Sequence, residues 1–271
     1  MLKKLLTICV LGSMAQLSAQ NYSYFAGARS HGLAHSTVAL SDAWSSFHNQ
    51  AGLAFIKKPA TVVSFSQRYF QKDLGLGHFA YAHPSKLGTI GLNVTYFGFD
   101  LANQSKIGLA YAKNFGKYFS VALQLNYQQF YISEGSSNGG IVDIEAGILA
   151  KPVKNLSIGF HIFNPTGAKM PGVSEQVLST IARLGMLYQF NEEVALTAEF
   201  RKDQNYSDRY AAGFEYRIIK LLALRTGLAY RNQNAFYFGL GFNAADFELG
   251  LAYEYASILG NNSTFSLQYS F

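Results

Sequence analysis

The sequence predicts an all-β fold, a 14-stranded antiparallel barrel that crosses a bilayer, from three observations. From Ala60 onward, apolar side chains recur at every second position, the period of a strand. Most of these alternating segments are about ten residues long, which suits a tilted strand crossing a bilayer. Short and long connections alternate between them, as periplasmic turns and external loops do in outer-membrane barrels.

Composition excludes several other classes. Aromatic residues make up 15% of the chain and charged residues only 14%, too aromatic and too weakly charged for a disordered protein. After the N-terminus no run of about 18 apolar residues occurs, which argues against transmembrane helices. The net charge of +6 is spread without a basic run, so the sequence indicates no nucleic-acid partner.

Residues 1–19 are predicted to be a secretory signal peptide. Lys3 and Lys4 precede a short apolar run, and small residues stand before Gln20, as at a cleavage site. The alternative is a buried N-terminal helix. Cys9, the one cysteine, lies in this segment, so the mature chain would have neither disulfides nor thiolate metal sites.

Residues 20–59 form a predicted N-terminal unit that does not alternate. Its small residues and turn formers suggest short helices and loops. Ser41-Asp42 is predicted to cap a short helix running through Trp44 and Phe47. We expect Gly52 to end that helix in the left-handed conformation.

Residues 60–271 are predicted to form the barrel. The predicted strands are 60–70, 73–83, 87–98, 104–113, 117–132, 139–151, 154–163, 177–190, 193–202, 208–219, 221–231, 234–243, 245–256 and 261–271. The predicted periplasmic turns are tight, and the external loops, such as 132–140 and 164–176, are rich in Gly, Asn and Ser. The alternative is a soluble β-sandwich or solenoid, which also alternates.

The final predicted strand, 261–271, shows the clearest alternation of apolar and polar residues. Its alternating apolar residues are Phe265, Leu267, Tyr269 and Phe271. In a closed barrel this strand is expected to pair with the first one, near 61–69, so that no edge remains. Its aromatic end also resembles the C-terminal assembly signal of outer-membrane barrels.

Charged residues of both signs lie on the predicted polar faces of the later strands. They are Arg183, Glu199, Arg201, Glu215, Arg217, Arg225, Arg231, Glu248 and Glu254. One interpretation is a set of ion pairs between the barrel wall and an N-terminal plug, and the other is a path for an anionic substrate. The near balance of signs favours the ion pairs, because a selective pore is expected to carry a ring of one sign.

Motifs for catalysis or cofactor binding have little support. G-x-S-x-G occurs only as G-S-S-N-G at 135–139, in a predicted external loop rather than at the strand-to-helix turn of a hydrolase. No P-loop, the pattern of a nucleotide site, occurs. His31 and His35 are spaced as metal ligands can be, but they lie in a Gly-rich loop region, which disfavours a metal site. We therefore predict no enzyme activity, no metal and no cofactor.

The segment 27–54 resembles the N-terminal region of the PorV/PorQ-like outer-membrane proteins of Bacteroidetes, within the FadL-like barrel superfamily. The matching positions are Gly27, Arg29, Gly32, Val38, Leu40, Ser41, Asp42, Asn49, Ala51, Gly52, Leu53 and Ala54. Gln50 stands where the family pattern has Pro, and His35-Ser36 replaces small residues. The resemblance implies a lumenal hatch in the outer membrane of a Gram-negative, Bacteroidetes-like cell.

Within that hatch, each residue type has an expected task. Arg29 and Asp42 are expected to pair with wall charges, and Trp44 and Phe47 to fill the centre of the barrel. The hatch glycines would let the backbone turn inside a confined lumen.

Three functions follow as hypotheses. The resemblance implies either an accessory role in type IX secretion, with secretion proteins as partners, or a channel for small hydrophobic molecules. The channel predicts an apolar pocket beneath the external loops, with Phe163, Met170, Val173, Ile258 and Leu259 as candidates. An open aqueous porin is the third hypothesis. In all three, the expected surroundings are outer-membrane lipid.

Overall fold

The computed structural model describes residues 25–69, 71–133, 139–169, 178–256 and 260–271. The predicted signal peptide, residues 1–19, lies outside these ranges. No helix among the described residues is long and apolar enough to cross a membrane.

Fourteen antiparallel strands form one closed barrel. Their bounds are β1 Ala60–Arg68, β2 Gly75–Pro84, β3 Thr89–Phe99, β4 Ala102–Phe115, β5 Phe119–Ile132, β6 Gly139–Val153, β7 Leu156–Phe163, β8 Ile181–Gln189, β9 Val194–Asp203, β10 Arg209–Ile219, β11 Leu222–Arg231, β12 Gln233–Ala244, β13 Phe247–Ala256 and β14 Gly260–Ser270. Each predicted segment coincides with one of these strands, and only the ends differ. The predicted fold class is therefore confirmed, and a two-sheet sandwich is excluded.

The barrel closes where β14 pairs with β1, as predicted for the final strand. Ala60 lies opposite Ser270, and Phe65 lies opposite Phe265. Every other strand pairs with its neighbours in sequence, so the sheet has no edge that could recruit another chain.

Side chains alternate between the two faces of the wall, and β5 shows the sense of the alternation. Leu123 is 63% exposed on the outer face, whereas Gln124 beside it is 1% exposed on the inner face. Leu125 and Asn126 repeat the pattern. Apolar groups therefore face outward and polar groups inward, which is the arrangement of a barrel surrounded by lipid rather than by water.

The N-terminal segment, defined here as residues 25–59, lies inside the barrel. It contains helices α1 (Ala28–Gly32) and α2 (Ser45–His48) and the 3-10 helix η1 (Gln50–Phe55). A second 3-10 helix, η2 (Lys72–Leu74), lies between β1 and β2. Helix α1 packs on β11–β14, and η1 packs on β2–β6.

The predicted capping of α2 by Ser41-Asp42 is wrong. The helix begins at Ser45, and the Asp42 backbone N–H donates to Ser45 Oγ over 3.3 Å. Ser45 Oγ in turn donates to the Leu40 carbonyl at 3.1 Å. The Asp42 carboxylate is held by Arg29 instead, and an ion pair to a charged group is stronger than an ordinary capping bond.

Gly52 lies within η1 and is not left-handed, which corrects the second prediction for this region. A Cβ at this position would collide with the Leu40 carbonyl and the Ser45 side chain. Gly52 is thus required for close packing rather than for an unusual dihedral angle. Gly27 does adopt φ +85°, a value that only glycine tolerates readily.

Candidate functional site

The first part of the candidate site is an ion-pair network, called here the Arg29 network. Arg29 in α1 donates two hydrogen bonds to Glu215 of β10, at 2.9 and 2.8 Å. Its third donor contacts Asp42 at 2.9 Å. Arg225 of β11 links Glu215 (2.7 Å) to Glu248 of β13 (2.8 Å). Two guanidinium groups therefore hold three carboxylates and tie the N-terminal segment to three strands.

A second cluster joins the segment to β8 and β9. Arg183 makes a bidentate pair with Glu199 at 2.7 and 2.9 Å. Glu199 also accepts the backbone N–H groups of Thr37 and Val38, at 2.9 and 3.0 Å. Arg183 donates to the carbonyl of His48 at 2.9 Å. The pair thus satisfies backbone groups of the N-terminal segment that water cannot reach.

A third cluster is centred on Glu145 of β6, which our sequence analysis missed. Lys106 of β4 and His161 of β7 contact its carboxylate at 2.9 and 3.0 Å. Gln50 donates to the same carboxylate at 2.8 Å. The departure Gln50-for-Pro therefore has a physical role, because proline could not make this bond. Lys106 and Glu145 occupy inward-facing alternate positions of their strands, and this alternation is the sequence signal that could have identified them.

The remaining predicted lumen charges are dispersed. Arg201 pairs with Asp203 of the same strand at 3.3 Å, and the Arg231 guanidinium lies 5.9 Å from the Tyr206 ring centroid. Arg217 donates to the carbonyl of Glu192 in an exposed position near the end of β10, so it joins none of the three clusters. Glu254 lies beside the N-terminal segment, with its Oε2 3.5 Å from His31 Nε2.

The predicted aromatic residues of the segment lie against the wall rather than at the centre of the barrel. Trp44 and Phe47 are buried and pack on Val62 and Ala80, which belong to β1 and β2. Strands β1 and β2 offer small side chains at these positions, so the wide rings fit there.

Two further residues of the predicted hatch motif, Ser41 and Asn49, also bind the barrel wall. Ser41 Oγ accepts from Lys151 Nζ at 3.0 Å. The Asn49 side-chain amide donates to the carbonyls of Val38 (2.7 Å) and Ile148 (3.0 Å). Its carbonyl oxygen accepts the Ala51 N–H at 3.2 Å and so caps η1.

Glycines of the inner wall follow the path of the N-terminal segment. A Cβ at Gly213 would lie 2.8 Å from Leu33 Cβ, and one at Gly227 would lie 2.6 Å from Ala34 N. Gly32 is also close to Gly239, and a Cβ added at Gly32 would lie 3.0 Å from Gly239 Cα. The wall is therefore shaped for this segment, because any larger side chain would displace it. The matched residues are far apart in the chain, so local sequence patterns do not reveal the match.

Of the five residues expected to line an apolar channel pocket, only Phe163 lies among the described residues. Phe163 is buried and clusters with Ile141, Leu178 and Ile181. Met170, Val173, Ile258 and Leu259 lie outside the described residues. A separate apolar groove of about 620 Å³ lies on the outer face of β7–β11, where lipid would contact it.

Fold and site together define a class: an outer-membrane-type β-barrel whose lumen holds its own N-terminal segment. The chain belongs to the family of the type IX secretion system membrane protein PorP/SprF, whose model matches residues 45–270. This fold and this membrane family place the protein in the outer membrane. The link to type IX secretion is thus supported, whereas the narrower PorV/PorQ assignment and the Bacteroidetes origin remain predictions.

Solved structures show the same FadL-like fold at low sequence identity. A FadL homologue from Pseudomonas aeruginosa is 14% identical, with a TM-score of 0.65, covering 92% of this chain and 100% of its own. The toluene transporter TbuX of Ralstonia pickettii is 12% identical, with a TM-score of 0.69 and coverage of 92% and 99%. The toluene transporter TodX of Pseudomonas putida is 11% identical, with a TM-score of 0.69 and coverage of 91% and 98%. No curated protein sequence matches the chain.

Proposed function

We propose that the protein is an accessory component of the type IX secretion system and acts as a closed barrel in the outer membrane. The observation that carries this proposal is the PorP/SprF match over residues 45–270. The PorV/PorQ-like pattern at 27–54 supports the same secretion context. A closed barrel suits docking or anchoring of secretion proteins, because neither task needs an open pore.

Residues 20–59 are proposed to act as the hatch of a barrel formed by 60–271. Three charged clusters support this division, since each joins the N-terminal segment to the wall through buried or half-buried groups. Removing one partner from a buried ion pair is strongly destabilising. The hatch is therefore expected to stay in place while the barrel performs its task.

The test is affinity purification of the tagged full-length protein from native outer membranes, together with deletion of its gene. We expect secretion proteins to co-purify, and cargo export to fail until the wild-type gene is restored. A tagged outer-membrane barrel of similar abundance and unrelated function is the matched control. Normal export in the deletion strain, without enrichment of secretion proteins over the control, would contradict the proposal.

A channel for small hydrophobic molecules is the second candidate. The apolar cluster of Phe163, Ile141, Leu178 and Ile181 favours it, because apolar side chains facing a lumen are suited to an apolar ligand. The test uses toluene as probe, added to the purified barrel in detergent and followed by calorimetry. Saturable binding that weakens in Phe163→Ala would support the channel, and absence of saturable binding would count against it.

A further inference from the structure

We propose that His31, His35 and Glu254 form a binding site for a divalent transition-metal ion such as Zn²⁺. The histidine pair lies in a Gly-rich part of the sequence, and the fold adds a carboxylate to it from β13. The ligating atoms of all three residues lie within 4.8 Å of one another, although 223 residues separate His31 from Glu254 in sequence.

The spacing is close to what a metal requires. Bonds of about 2.1 Å in a tetrahedral site place neighbouring ligand atoms roughly 3.4 Å apart. His31 Nε2 lies 3.5 Å from Glu254 Oε2. Small side-chain rotations would therefore bring all three ligands onto one ion. Two imidazoles and a carboxylate are a donor set that zinc uses in proteins, with water as the fourth ligand.

One ring nitrogen of His31 is directed into the site. His31 is 5% exposed, and its Nε2 faces Glu254 Oε2 at 3.5 Å, too long for a strong hydrogen bond. Its other ring nitrogen, Nδ1, lies 2.8 Å from Thr264 Oγ1. A proton on Nδ1 would be donated to Thr264, which leaves the Nε2 lone pair directed toward Glu254. Metal-bound histidines are usually oriented by such a second hydrogen bond.

The other two ligands are also held in place. Glu254 accepts hydrogen bonds from Tyr237 Oη at 2.7 Å and from Asn262 Nδ2 at 2.6 Å. The His35 ring stacks on Phe25 with centroids 3.9 Å apart.

The site has room for an ion, and its charges set the expected affinity. His31, His35 and Glu254 line a cavity of about 40 Å³ together with Phe25 and Arg68, more than one water molecule needs. The Arg68 guanidinium lies 5.8 Å from the centroid of the Phe97 ring and carries positive charge toward the cavity. We therefore expect Arg68→Gln to tighten metal binding, because like charge opposes a cation.

A bound ion would join the N-terminal segment to the wall. His31 and His35 belong to the segment, whereas Glu254 belongs to β13. Metal occupancy would therefore restrain the segment in the lumen in addition to the three charged clusters, and metal removal would loosen it.

The experiment titrates Zn²⁺ into the mature barrel, purified in detergent without a histidine tag and stripped with chelator. We expect one ion per chain by calorimetry, loss of that binding in a His31→Ala, His35→Ala double variant, and at least roughly tenfold weaker binding in Glu254→Gln. His83→Ala is the matched control, because His83 is exposed and contacts Tyr81 on β2. It should bind as the wild type does.

Two checks keep the result interpretable. Heat-modifiable mobility on gels shows that each variant is a folded barrel. Co²⁺ in place of Zn²⁺ should give the visible absorption of a tetrahedral site, which is lost in the double variant. Equal Zn²⁺ binding by the folded double variant and the wild type, or no saturable binding by the wild type, would overturn the proposal.

Discussion

Replacing Arg29 with alanine tests whether the Arg29 network holds the N-terminal segment in the lumen. The substitution removes both hydrogen bonds to Glu215 and the one to Asp42. Glu215 keeps Arg225 as a partner. Among the described residues Asp42 has no second cation in contact, so a buried carboxylate loses its counter-charge.

The expected cost follows from the burial of the pair. The side chains of Arg29 and Asp42 are 22% and 16% exposed. Breaking a fully buried pair costs about 3–5 kcal/mol, so we take about 3 kcal/mol for this partly buried one. At about 1.4 kcal/mol per factor of ten, opening of the segment should become on the order of 100-fold more frequent. The barrel strands should keep their stability, because their own hydrogen bonds are unchanged.

Hydrogen exchange followed by mass spectrometry measures this opening directly. Amides within 28–55 should exchange on the order of 100 times faster in Arg29→Ala, while those of β3–β6 remain as slow as in the wild type. Trp44, the one tryptophan of the chain, gives a second readout, since its emission should shift to the red when the segment leaves the wall.

Lys58→Ala is the matched control. Lys58 and Asp246 form an ion pair of the same 2.9 Å length, but both side chains are about half exposed or more, and such pairs contribute about 1 kcal/mol or less. The control should therefore leave exchange in 28–55 nearly unchanged. Equal exchange in Arg29→Ala and Lys58→Ala would refute the assigned role of the network.

Three further predictions concern packing, assembly and sealing. Gly213→Val should displace the N-terminal segment, because the new side chain would collide with Leu33 at a cost of about 1–3 kcal/mol. Ala212→Val, on the outer face of the same strand, should leave the segment in place. The rate of proteolysis of the N-terminal segment compares the two variants. Phe271→Lys should block membrane assembly, and a normal heat-modifiable barrel in the outer membrane would contradict this. Deletion of 21–58 should open a conducting pore in planar bilayers, and conductance that stays near zero would show that the segment is not the seal.

The strands could be predicted from sequence because their signal is local. Period-two alternation places Leu123 outside and Gln124 inside whatever the rest of the chain does. The pairing of the last strand with the first, near 61–69, also followed, since a closed sheet leaves these two strands only each other as partners. The register that sets Phe65 opposite Phe265 is known only from the structure.

Side-chain partners inside the lumen could not be predicted in the same way. Arg29 meets Glu215 across 186 residues, and that meeting depends on strand register and on the path of the segment. Asp42 was assigned a capping role from local pattern, but the nearby guanidinium outcompetes a backbone N–H. Glu254 completes the histidine pair only once β13 stands beside α1.

The N-terminal segment contacts the barrel wall on several sides of the lumen. Ala28 binds β14, Ser36 binds β9, Asn49 binds β6 and Ala51 binds β5, while Trp44 and Phe47 pack against β1 and β2. A segment held by contacts on several sides fits a lumen of one width. We expect that adding or removing a hairpin would separate some of these partners, so the segment favours the 14-stranded barrel over a wider or a narrower one.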